Sequence, residues 1–90
     1  MNNDKKLDAV MKIVCDEYRW AVEKHPEFPQ GQVAVSIIAE ELGELAKEIN
    51  DAREAVSGAA GRAIIEAAHV AVTAMRTLEA LAEELEMWTE

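Results

Sequence analysis

The sequence predicts an all-α fold, an antiparallel bundle of about three main helices in a single domain spanning residues 1–90, its core completed by oligomerisation. Three observations lead there. Apolar residues recur at spacings of three and four instead of alternating. Proline and glycine gather in two short stretches, around Pro26–Gly31 and Ser57–Gly61, that cut the chain into three long segments. The last segment carries a run, Ala63 to Met75, that is apolar on nearly every side.

The first helix is expected from about Asp4 to His25. Leu7, Val10, Met11, Val14, Tyr18, Ala21 and Val22 form its apolar stripe, and Pro26 ends it because the residue before a proline disfavours the helical region. The loop Pro26-Glu27-Phe28-Pro29-Gln30-Gly31 follows. The second helix is expected from about Gln32 to Ala52, with Ile38, Leu42, Leu45 and Ile49 as its core stripe, flanked by Val35 and Ala34. The third begins near Ala59 to Arg62 and reaches about Met87. The short linker between them makes helices two and three antiparallel neighbours. A helix apolar all round is buried all round. Two sister helices cannot enclose Ala63–Met75, so a second subunit is expected to cover it, as a homodimer or homotetramer. After Met75 the pattern is amphipathic again, with Leu78, Leu81, Leu85 and Trp88 inward and Glu79, Glu83, Glu84 and Glu86 toward water.

Composition narrows the partners. Half of the 90 residues are hydrophobic and the formal net charge is −9. That balance argues against disorder, nonspecific nucleic-acid binding and docking on anionic membranes. There is no secretory leader pattern and no apolar run of the roughly 18 residues that suggests a membrane span. The lone Cys15, read as core filler, suits a reducing compartment. A cytoplasmic protein that binds neither nucleic acid nor membrane is the expectation.

The residues that carry chemistry are acidic. Glu40, Glu41 and Glu44 stand within one and a half turns of the second helix, where spacings of three and four make side chains neighbours. At about 100° per residue, Glu41 lies at the edge of the apolar stripe, Glu44 one step farther out and Glu40 beyond it. Like charges so placed cost an isolated helix roughly 0.2–0.5 kcal/mol per pair, a sign that a bound divalent cation would reverse. The alternative is a solvated helix face, continued by Glu48 and balanced by Lys47. On the third helix, Glu66, His69 and Thr73 are the only polar residues between Ala63 and Met75 and share one face. Either they form an internal network, for example Glu66 with Arg62 or Arg76, or they face Glu41 and Glu44 across a metal site. Carboxylates from facing helices are how bundles build sites for hard cations. Glu-x-x-His pairs also occur in di-iron carboxylate bundles, which need a second motif and further glutamates that a homodimer would supply. Trp20 and Phe28 flank the first loop and either close the bundle end or stack on a base. Lys24 and Arg19, in the same neighbourhood, are candidate phosphate contacts.

Together these motifs resemble the all-α nucleoside triphosphate pyrophosphohydrolases, the MazG-like proteins related to dimeric dUTPases, and above all their small phage and prophage members. Glu41-Leu42-Gly43-Glu44 matches the Glu-x-x-Glu half of the family signature. After a spacer from Leu45 to Ile65, Glu66-Ala67-Ala68-His69 matches the Glu-x-x-Asp half except at its last position, where His69 stands. Lys24-His25-Pro26-Glu27-Phe28-Pro29 is similar to the loop before the family's acidic helix, and the likeness extends from about Glu17 to Leu81. It implies Mg²⁺, with Mn²⁺ as an alternative, held by Glu41, Glu44, Glu66 and His69. It implies Glu40 as general base or water-positioner. It further implies a (d)NTP substrate contacted through Lys24, Trp20, Phe28 and Lys47, and hydrolysis to (d)NMP and pyrophosphate. The imidazole of His69 departs from the family pattern, since hard cations prefer oxygen.

Overall fold

A computed structural model of the chain describes residues 1–29 and 31–85. Those residues form three α-helices and no strand: α1 (Asn3–Lys24), α2 (Gln32–Arg53) and α3 (Ala59–Glu84). Each predicted helix is present; α1 and α2 have ends moved by a single residue, and α3 ends at Glu84 instead of near Met87. Gln30, and the expected inward Trp88 with Glu86 and Met87 at the end of the third helix, lie outside the described residues. Among the described residues no helix is long and apolar enough to cross a membrane.

Local chemistry sets the helix ends. The Asn2 side chain accepts a hydrogen bond from the Lys5 backbone N–H at 2.9 Å, capping α1, and Asp4 in the first turn and Lys24 in the last both oppose the helix dipole. At the far end the His25 N–H closes onto the Ala21 carbonyl before Pro26 stops the helix. The end of α2 is a Schellman motif: the Val56 N–H donates to Asp51 O at 2.9 Å and the Ala55 N–H to Ala52 O at 3.1 Å. The motif requires a left-handed residue, and the sequence supplies Ala55, at φ 58°, where glycine is the usual occupant. Gly58, at φ 78°, then turns the chain into α3.

The long helix α3 runs through the middle. Both α1 and α2 pack on it, and they do not pack on each other. Contacts pair Glu48 with Arg62 and Glu41 with His69, so α2 runs antiparallel to α3 as expected. Glu17 meets His69 and Ala21 meets Arg76, so α1 runs parallel to α3. The result is an up-down-up arrangement with a cleft between α1 and α2, floored by α3.

Packing departs from the predicted stripes on all three helices; on α3, Leu78, Leu81 and Leu85, expected inward, are exposed because neither α1 nor α2 covers that side. On α2 the buried Ala34 and the half-buried Ile38, Glu41, Leu45 and Glu48 lie on the packed side, whereas Val35, Leu42 and Ile49 are exposed. The helix is turned toward its acidic edge, where Glu48 accepts from Arg62 Nε at 2.8 Å and Glu41 comes within 3.8 Å of His69 Nδ1. On α1 only the half from Val14 onward approaches α3; Leu7, Val10, Met11 and Ile13 are exposed. Glu79, expected in water, instead accepts a 2.6 Å hydrogen bond from the Tyr18 hydroxyl and ties α1 to α3. That bond to a carboxylate, more than burial, holds the Tyr18 hydroxyl above its ordinary pKa.

The run expected to be buried on every side is covered on one side alone. Ala68, Val72, Thr73 and Arg76 are buried, but Ile64 and Ile65 remain 57% and 44% exposed.

A left-handed alanine costs roughly 1–2 kcal/mol that glycine avoids, partly offset by the entropy glycine loses on folding. Ala55→Gly is therefore expected to stabilise the chain by about 0.5–1 kcal/mol in urea denaturation followed by circular dichroism. A loss of stability would show that Ala55 does not terminate α2 in this way.

Candidate metal centre

Three helices each contribute one side of the site, and in each the contributing residue lies on or beside the helix's packed face. From α2 comes Glu41; from α3 come Glu66 and His69, one turn apart; from α1 comes Glu17. One donor atom each from Glu41, Glu66 and His69 lies within 4.8 Å of the others, close enough for one metal ion to reach all three. The His69 ring faces different groups with its two nitrogens. Nδ1 lies 3.7 Å from Glu66 Oε2 and 3.8 Å from Glu41 Oε2, while Nε2 lies 3.2 Å from Glu17 Oε2.

Those same two oxygens, Glu41 Oε2 and Glu66 Oε2, are buried and without a hydrogen-bond partner. Buried carboxylate oxygens are costly to leave unpaired, and each needs a donor or a cation. Oxygen, oxygen and imidazole nitrogen make a donor set that suits a divalent ion, so the residues present fit a metal.

The electrostatics agree with the geometry. Removal from water raises the Glu41 carboxyl from an ordinary 4.5 to about 6; the neighbouring Glu66 and the charge of Glu44 push the same way, and His69 opposes them. Glu44 is raised chiefly by the charge of Glu66, with Glu40 adding to it. Glu44 is exposed and, although an expected ligand, is not among the three clustered residues. Glu40 is exposed, one turn from Glu44, and outside the cluster.

Beside the cluster opens a cavity of about 500 Å³, walled by Glu17, Trp20, Phe28, Glu41, His69 and Arg76 among others. The ring of Trp20 meets that of His25 edge-on, with centroids 6.4 Å apart. Trp20 and Phe28 both line this cavity. Lys24 and Lys47 do not line the cavity. Lys47 pairs with Asp51 at 2.9 Å and with Glu48 at 3.8 Å, farther along α2.

The cation in the cavity wall is Arg76. It is buried, donates from Nη2 to the His25 carbonyl at 2.7 Å, and lies 5.0 Å from the centre of the Phe28 ring. Neither arginine pairs with Glu66: Arg62 is taken by Glu48 and by the Ser57 carbonyl, and Arg76 by carbonyls at the end of α1. Thr73 donates to the His69 carbonyl one turn back and joins no side-chain network.

Glu17 was the participant that sequence reasoning passed over. Its signal was an acid at a stripe position of α1, between Val14 and Ala21, as Glu66 is an acid in the apolar run of α3.

Searches against protein-family models, curated proteins and solved structures find no match to this chain.

The carboxyl of Glu41 titrates higher in the folded chain than in the unfolded one. Stability from its proton is therefore full below about pH 4.5 and lost as the pH rises through about 6. In chelator-treated protein, Glu41→Gln should raise the Tm, and by more at pH 7 than at pH 5. A gain that is absent, or larger at pH 5, would contradict the buried, crowded setting of this carboxylate.

Proposed function

We propose that the chain is a divalent-metal-dependent nucleoside triphosphate pyrophosphohydrolase that works as a homo-oligomer. One observation carries the reading. Glu41, Glu66 and His69 turn unpartnered donor atoms toward a common point, and two of the three also line a cavity walled by the aromatic rings of Trp20 and Phe28. The Glu-x-x-Glu half of the family signature at Glu41–Glu44, and the second half at Glu66–His69 in all but its last position, support it independently.

In this reading Glu41, Glu66 and His69 hold the metal, with Glu44 at the rim. The bound ion would neutralise phosphate charge and lower the pKa of a water molecule. Trp20 and Phe28 would take the base between them and orient the triphosphate toward the acids. Water attacks the α-phosphorus, a new P–O bond forms, the bond to the bridging oxygen breaks, and pyrophosphate leaves as the nucleoside monophosphate is released. The water's proton passes to a carboxylate. Glu40, the residue the family resemblance suggests, and Glu44, one turn along the same exposed edge, are the candidates for this role. Lys24 and Lys47 have no part in the cavity wall, and phosphate charge falls to the metal.

The homo-oligomer is supported by what the single chain leaves uncovered. Leu7 and Val10 on α1, Leu42 on α2, and Ile64 and Leu78 on α3 are each half exposed or more. A second copy is the simplest cover for apolar surface spread over three helices of a chain this short. Light scattering at micromolar concentration should return a multiple of the 9.9 kDa chain mass; a monodisperse monomer would refute the oligomer.

A dNTP panel with Mg²⁺ or Mn²⁺ tests the activity. Pyrophosphate release is expected for at least one substrate, falling to background in Glu66→Gln. Nucleotide and metal that stabilise the fold without turnover would select a second reading, a noncatalytic binding relative, which the imidazole in place of the family's last carboxylate favours. Neither turnover nor stabilisation would defeat both.

A further inference from the structure

We infer that Glu17 is a positioning residue for the metal centre: it holds His69 with Nδ1 aimed at Glu41 and Glu66, and the nitrogen so presented makes the site prefer borderline transition cations to Mg²⁺. The inference rests on the reading of Glu41, Glu66 and His69 as a metal centre and goes beyond it in two ways. It assigns a residue from α1, outside both halves of the acidic motif, and it changes the expected ion.

A carboxylate accepts hydrogen bonds and donates none. Against a carboxylate at Glu17, the 3.2 Å contact of His69 Nε2 with Glu17 Oε2 assigns the ring proton to Nε2. A neutral ring then carries its lone pair on Nδ1, the nitrogen that faces Glu66 Oε2 at 3.7 Å and Glu41 Oε2 at 3.8 Å. Those two oxygens are the ones left buried and unpartnered. Nδ1 and the two oxygens are thus aimed at one another without direct hydrogen bonds, while the opposite ring nitrogen is tied down from a different helix. A carboxylate behind a metal-binding histidine fixes its tautomer and ring orientation and makes the ligating nitrogen more basic. Glu17 is not a further ligand, because it lies on the far nitrogen and outside the donor cluster.

The choice of ion follows from the donor set. Mg²⁺ prefers an all-oxygen shell and gains little from imidazole, whereas Co²⁺, Zn²⁺ and Ni²⁺ bind it well. With His69 where the resembled family carries Asp, the gap in affinity between Co²⁺ and Mg²⁺ should be wider here than in an all-carboxylate site.

Isothermal titration of the metal-free full chain with Co²⁺ and Mg²⁺, for wild type, Glu17→Gln and His69→Asp, tests both parts. Wild type should bind Co²⁺ well ahead of Mg²⁺. Glu17→Gln should lose about tenfold to hundredfold in Co²⁺ affinity, and His69→Asp should narrow the ratio between the two ions. A long-range ¹H–¹⁵N spectrum of the metal-free wild type needs no variant and should show neutral His69 protonated on Nε2. Unchanged Co²⁺ affinity in Glu17→Gln, an Nδ1-protonated ring, or an unchanged ion ratio in His69→Asp would overturn the inference while leaving the metal centre standing. Absence of binding by either ion in wild type would remove the metal centre itself, and the inference with it.

Discussion

The guanidinium of Arg76 fixes the relation on which the site depends. It sits in the middle of α3, buried to 8% exposure, and reaches the carbonyls of Ala21, His25 and Pro26 where α1 ends. The carbonyls of His25 and Pro26 follow the last turn of α1 and have no place in its ladder, and a buried cation lacks water; each satisfies the other. The same group lies over Phe28, so one side chain holds the end of α1 and the wall of the cavity against the central helix. Since α1 and α2 do not pack on each other, the width of the cleft is set through α3. Tyr18 and Glu79 add a second tie on the same side.

Within that frame the acids are held under tension. Glu41 and Glu66 bring buried oxygens together without partners, and Glu44 adds charge at the rim. A chain selected for stability alone would place apolar or paired side chains there. Arg62 and Lys47 are near enough along the helices to have served, yet they go to Glu48 and Asp51. The uncompensated negative charge is concentrated at one point beside an aromatic-walled cavity, which is the arrangement expected where a cation is to be bound.

Much of the architecture was legible in the sequence because it is written locally. Pro26 and the glycines after each linker set helix ends, and the three helices stand within about three residues of where spacing put them. Glu66 and His69 were legible as polar residues in an apolar run, and Glu41 as an acid on the edge of a stripe. What the sequence hid is what depends on partners far along the chain. The rotation of α2 toward Glu41 and Glu48 reflects residues on α3. Glu79 looked solvent-facing because its partner, Tyr18, is 61 positions away. Glu17 could not be separated from the other acids of α1 until His69 was set beside it. The Schellman turn at Ala55 was hidden for the opposite reason, since no glycine marks it.

The half-anchored first helix has a mechanical consequence. Its C-terminal half is pinned by Arg76 and Tyr18, while its N-terminal half, with Leu7, Val10 and Met11 along it, stands clear of α3. A stiff rod fixed near one end is a lever, and Glu17 sits close to the fulcrum. A push on the free arm of so stiff a rod is carried to its anchored half, where Glu17 meets His69 Nε2 at 3.2 Å.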